Sequence, residues 1–264
     1  MVRTLKGLHE GKPEVMTPAE PTQGAPAKAE SAAVATPASE TGKVPWVPAQ
    51  AGLHRIYWDL RADGFTGGPK VGPLLPPGKY TATLKIGGQT ASQTFAVVND
   101  PTSHAPLAAM EQRYELTEAV LHELSRLDVA LTKLHAIHVQ EESLRIAAKG
   151  TSDQAAIDAA IDSLEGAAKA IKLTITSGTT REDSSILDVP DRIHEHLQAL
   201  DSLLEGADDA STAATLRVKA IYDAEYRAAL AAYDHFLASD VVQFNQKMVN
   251  HYLTGVVPGR TLAP

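Results

Sequence analysis

Apolar positions along the chain change period once, close to Pro101. Before it the spacing is two. His54-Arg55-Ile56-Tyr57-Trp58-Asp59-Leu60 alternates, which predicts a strand with Ile56, Trp58 and Leu60 on one face. The Gly- and Pro-rich stretch 64–78 reads as a long loop. Pro76-Pro77-Gly78 then opens a strand, Tyr80 to Ile86, with Tyr80, Leu84 and Ile86 on one face. Gly87-Gly88 accepts the positive φ of a tight hairpin turn. The return strand is Thr90 to Val98, with Phe95 and Val97 sharing a face, and Asn99-Asp100-Pro101 ends it. Three or four strands are marginal for an independent sandwich.

After Pro101 the period is close to three and a half. Val120, Leu124, Leu127, Leu131 and Leu134 predict a long helix from about Pro106 to Ala148, closed by Lys149-Gly150. Its length suggests that it projects beyond its neighbours. Ser152 or Asp153 can cap a second helix with the stripe Ile157, Ile161, Leu164, Ala168, Ile171 and Ile175. A third follows Pro190 and carries Ile193, Leu197, Leu200 and Leu204. The fourth carries Leu216, Tyr226, Leu230, Tyr233 and Leu237, and a short fifth carries Val241, Phe244, Met248 and Tyr252. One-sided stripes on helices joined by short linkers predict an antiparallel helical bundle.

The first 45 residues look different. Val2 to Leu5 suits an isolated strand within 1–10. Residues 11–45 are rich in Pro, Ala, Thr, Glu and Ser, with too little apolar surface to offset the entropy of ordering, which predicts a disordered insertion. The expected organisation is therefore 1–10 strand, 11–45 insertion, 46–101 β domain, 102–255 helical bundle and 256–264 flexible tail. The fold class is mixed, with α and β in separate domains.

Charge sharpens this division. The whole chain carries a formal −8, but residues 1–100 hold ten Lys/Arg against eight Asp/Glu, and residues 101–264 hold fourteen against twenty-four. An acidic helical half is a poor partner for nucleic acid, whose affinity comes largely from phosphate neutralisation. There is no cysteine, hence no disulfide, thiol nucleophile or thiolate metal site. No apolar run reaches the roughly 18 residues of a membrane span, and the basic start Met1 to Lys6 lacks the apolar core of a signal peptide.

Several clusters have the residue types for chemistry. His135, His138, Glu141 and Glu142 lie within two helical turns and could hold a metal. A di-metal helical site needs Glu-x-x-His pairs on two helices, however, and no histidine here has Glu three residues before it. We read the cluster as a solvated helix face. His194-Glu195-His196 is a weaker candidate because positions i and i+2 point to different faces. Paired carboxylates for glycoside hydrolysis could be Asp208-Asp209, Glu141-Glu142 or Asp59 with Asp63, but adjacent acids are ordinarily solvating charge. Gly-x-Ser-x-Gly, Gly-x-Gly-x-x-Gly and P-loop motifs are missing. Trp58 and Tyr57 could stack on a sugar, though alternation with Ile56 and Leu60 assigns Trp58 to a core. Tyr226 and Tyr233 read as helix-packing residues. The expectation is no catalytic, cofactor-binding or metal site.

Two blocks carry a family resemblance. Gly52-Leu53-His54-Arg55-Ile56-Tyr57-Trp58-Asp59-Leu60-Arg61 and Gly72-Pro73-Leu74 through Pro77-Gly78-Lys79-Tyr80-Thr81 resemble the C-terminal region of bacterial BNR-repeat (sortilin-like) β-propeller proteins, often labelled glycosyl hydrolases. In that family an Ig-like module, similar to the flagellar hook-capping Ig-like domain, precedes a helical tail. Asp100-Pro101, Ala207-Asp208-Asp209 and Asn245 fit that order. The resemblance covers about 44–255, with Val2-Arg3-Thr4-Leu5 similar to the strand before the Trp-Asp-Leu-Arg block. It implies an incomplete Ig-like sandwich, export to the periplasm or outside, and no transferred enzyme activity, since the propeller and the first Ig-like strands are absent here. The expected role is a non-catalytic structural or interaction module whose partner is a β-propeller or a second copy of the chain. The alternative is a glycoside hydrolase-related enzyme with its site between the β and helical domains.

Overall fold

The computed structural model describes residues 52–65, 67–177, 190–206, 210–251 and 253–259. The strand expected in 1–10 and the insertion expected at 11–45 lie outside these residues. Strands β1 (Arg61–Asp63), β2 (Val71–Leu74), β3 (Gly78–Ile86) and β4 (Gln89–Val97) precede helices α1 (Leu107–Ala148), α2 (Gln154–Ile175), α3 (Ile193–Glu205), α4 (Ala213–Ala238) and α5 (Asp240–Asn250). The chain is thus mixed, with small antiparallel sheets followed by helices.

The strands form two separate two-stranded sheets, β1–β2 and β3–β4. The strand expected at His54–Leu60 is not formed, and β1 begins immediately after it. Local polar chemistry ends the extended run at that point. Leu60 takes φ 58°, the Asp59 carboxylate accepts from the Arg61 N–H (3.1 Å), and the Trp58 indole donates to the Arg61 carbonyl (3.0 Å). The expected 64–78 loop contains β2, which pairs Leu74 with Arg61 and Val71 with Asp63. Gly72 permits this close pairing, because a Cβ there would lie 2.4 Å from the Asp63 carbonyl oxygen.

β3 and β4 are as expected. They pair in continuous register from Gly78↔Val97 to Ile86↔Gln89 around Gly87-Gly88, whose φ values are 55° and 82°. The edge-on packing of the Trp58 ring against Tyr80 (5.6 Å between centroids) and Phe95 (6.1 Å) anchors the base of this ribbon.

The helices follow the predicted stripes except in α4, where Leu216 is 41% accessible and the buried positions are Lys219, Ala229, Tyr233 and Phe236, while Tyr252 of the fifth stripe lies outside the described residues. α1 spans 42 residues, about 63 Å at 1.5 Å per residue. Val120, Leu127 and Ile137 are fully buried along it, and Gly150 (φ 78°) turns the chain after its end. α1 does not project free of the rest: β1–β2 covers its first half, with Gly68 backed on Ser125 and the Phe65 ring edge-on to His122 (5.9 Å). α1 packs on α2 and α3, α2 on α4 and α5, and α4 on α3 and α5. One apolar cluster runs through all five helices.

Asp153 precedes α2 without capping it by its side chain, and its carboxylate instead meets His251 Nδ1 (2.8 Å). Glu195 ties two helices together: it accepts from the Arg192 N–H (3.0 Å), the Ser177 N–H (3.1 Å) and the Thr176 hydroxyl (2.5 Å). Thr212 caps α4 by accepting from the Thr215 N–H. The packed chain continues past the expected domain end at 255. Asn245 donates to the Val256 carbonyl (2.9 Å) and accepts from its N–H (2.7 Å), while Gln140 does the same for Val257 (3.0 and 2.9 Å).

Candidate functional site

The β3–β4 ribbon is exposed along nearly its whole length. Every residue of β3 except Tyr80, and of β4 except Val97, is exposed. Register places Tyr80, Ala82, Leu84 and Ile86 on one face, opposite Phe95, Gln93, Ala91 and Gln89. Leu84 is 52% and Ile86 67% accessible. The other face is polar, with paired hydroxyls Thr81–Thr94 (3.1 Å) and Thr83–Ser92 (3.0 Å) between Lys79 and Lys85. Among the described residues no third strand pairs with either outer edge. A free two-stranded ribbon is marginal in water, and an open strand edge is a template for pairing.

Charged groups within the helical body are arranged differently from the sequence reading. Glu141 was expected on a solvated face; it is only 1% accessible, and neither carboxylate oxygen has a hydrogen-bond partner. Its position explains the burial, because Ile137, Glu141, Leu144 and Ala148 continue the core stripe of α1. Burial pushes its carboxyl up to about 7. His135 and Glu142 do face solvent, and His138 lies on the rim of the cluster, with Nδ1 3.7 Å from Glu141 and 3.9 Å from Glu165.

His194 and His196 point to opposite sides of α3, as their spacing requires. His194 Nε2 meets Asp128 of α1 (2.8 Å), whereas His196 Nδ1 meets Glu225 of α4 (3.0 Å) and its ring stacks on Tyr222 (4.7 Å). Both join helices. Asp59 and Asp63 are exposed, and Asp208-Asp209 lie outside the described residues. Trp58 is committed to the ribbon aromatics, Tyr57 is exposed, and Tyr226 and Tyr233 belong to the helical core. Among the described residues no group of three or more His, Asp or Glu side chains is placed to hold a metal ion.

Two further ionic groups escaped the sequence reading. Lys219 of α4 is 8% accessible and donates to Glu123 of α1 (2.9 Å) and to Asp223. Where β1–β2 meets α3, Arg61 bonds Glu205 and the Gly72 carbonyl (3.2 Å). Asp201, one helical turn before Glu205, has its carboxyl raised to about 6 by burial and by the Glu205 charge, against the pull of Arg61. The seam cavity lined by Arg61, Arg113, Tyr114 and Glu205 holds about 30 Å³, and another between α2 and α5 about 50 Å³. Each has room for a water or two, far below the roughly 300 Å³ of small-molecule sites.

No helix among the described residues is long and apolar enough to cross a membrane. No protein-family model, no curated protein and no solved structure matches the chain.

Proposed function

We propose that this chain is a non-catalytic interaction module, the accessory part of an exported propeller-type protein. In this reading 46–101 is an Ig-like module, followed by an antiparallel helical bundle. The observation that carries the proposal is the ribbon's apolar face, open to water at Leu84 and Ile86, with both strand edges free among the described residues. Such a surface is stabilised by whatever covers it.

The ribbon's dimensions argue against a ribbon-on-ribbon contact between two copies as the whole interface. Each strand has nine residues, so one face measures about 30 by 10 Å at ordinary strand spacings. Two ribbons face to face would bury about 600 Å², about half the lower bound for a stable complex. A propeller can add contacts from its loops and rim.

Sedimentation velocity of the full chain with a purified BNR-type propeller tests this. We expect a complex with the wild type and none with Leu84→Ser/Ile86→Ser. Equal binding by both would refute the ribbon's role. The enzyme alternative has a pair of carboxylates, Asp201 and Glu205, at the β–helix seam, but the cavity there lacks room for a sugar. Glycan hydrolysis abolished by Asp201→Asn and Glu205→Gln would overturn the non-catalytic reading.

A further inference from the structure

The seam between α1 and α2 carries one arginine among several acids. Arg145 Nη2 contacts Asp162 (2.5 Å) and Glu165 (3.2 Å), and Asp158 and Glu142 each lie 3.6 Å from the guanidinium. These four carboxylates either reach solvent or share that cation. Glu141 does neither: it is sealed beneath the seam with both oxygens unpartnered among the described residues, and the His138 ring lies 3.7 Å away. An ionised carboxylate in such a place must draw in water or move, because nothing around it replaces hydration. A protonated one can stay dry.

We propose that Glu141 is a pH-operated latch on the α1–α2 seam, closed when the carboxyl carries its proton and loosened by hydration when it ionises. The charges acting on it come from both helices: His138 and Arg145 of α1 favour ionisation, and Glu165 of α2 opposes it. α5 brings Asp240 and Lys247 to the cavity beside Ser163 and Leu164, and the segment 253–259 brings no ionisable side chain. Burial is the largest influence and sets the midpoint at about 7 instead of 4.5. Opening therefore begins as pH rises above the ordinary carboxylate range and is complete just above neutrality.

Backbone hydrogen exchange on the full chain, corrected for the intrinsic pH dependence, reads the latch directly. Between pH 5.5 and 8.5 the wild type should lose about tenfold to a hundredfold of its protection over 137–148 and 157–168, within the roughly 300-fold that 2.5 pKa units allow. Glu141→Gln, permanently neutral, should change less than twofold, while the exposed neighbour variant Glu142→Gln should follow the wild type. Identical profiles for the wild type and Glu141→Gln would overturn the proposal. Carboxyl ¹³C titration of the wild type is the second measurement, independent of any variant's folding. A Glu141 midpoint near 7 supports the latch and one near 4.5 overturns it. Glu165→Gln should lower that midpoint, and His138→Gln should raise it.

Discussion

Replacing Lys219 by methionine tests how the helical body tolerates buried charge. Lys219 is 8% accessible and its ammonium lies 2.9 Å from Glu123, whose side chain is 15% accessible and whose second oxygen has no partner among the described residues. At an effective dielectric of 20, opposite charges at that distance attract by about 6 kcal/mol, most of which offsets the cost of removing both from water. Lys219→Met keeps the packing volume but strands Glu123, so we expect a loss of about 3–5 kcal/mol. Asp223, 32% accessible on its side chain, can hydrate and adds little to the loss. Urea unfolding followed by far-UV circular dichroism measures the loss as a lower midpoint at unchanged slope.

Two controls make the reasoning refutable. Lys219→Met/Glu123→Leu should recover most of the loss, because both buried charges leave together. The single variant's deficit should also shrink at acid pH. Burial already raises the Glu123 carboxyl against the pull of Lys219, and removing the lysine raises it further. The stranded charge is then neutralised as pH falls through that midpoint, so the deficit is full above it and fades progressively between it and the ordinary carboxylate range. A single-variant loss under about 1 kcal/mol, or a double variant no more stable than the single, would show that Lys219 and Glu123 do not act as a buried charge pair.

Other outcomes follow from packing and hydrogen bonding. Asn245→Ala leaves the Val256 N–H and carbonyl without their partners and should cost about 1–3 kcal/mol, with the Val256 amide losing exchange protection first. Leu127→Ala, at a fully buried position, should cost about 2–5 kcal/mol by urea unfolding, whereas Leu203→Ala, 60% accessible, should stay within about 0.5 kcal/mol. Equal losses at the two leucines would contradict the placement of the α1 and α3 stripes.

The helices were legible because their information is local and repeated. The Val120–Leu134 stripe, Gly150 beyond the end of α1 and the β3–β4 register around Gly87-Gly88 each depend on residues a few positions apart. The buried charges were less obvious but left a trace. Glu141 continues the Ile137–Leu144–Ala148 spacing, and Lys219 falls on the stripe through Tyr226, Ala229, Tyr233 and Phe236. Reading Glu141 by residue type, as an acid and therefore solvated, concealed what position had already placed inside.

By itself, then, the sequence determined where the period changes, which helices form and which way the stripes of α1, α2, α3 and α5 face, because backbone periodicity and side-chain hydrophobicity act within one element. Only the tertiary structure decided that Trp58 packs as an aromatic anchor while 54–60 forms no strand, and that Val256 and Val257 are held by Asn245 and Gln140. It also decided that Glu141 is sealed while its neighbour Glu142 is wet. Each depends on a partner distant in the chain or on an adjoining helix, and whether a polar group is paired, hydrated or stranded is a property of that encounter.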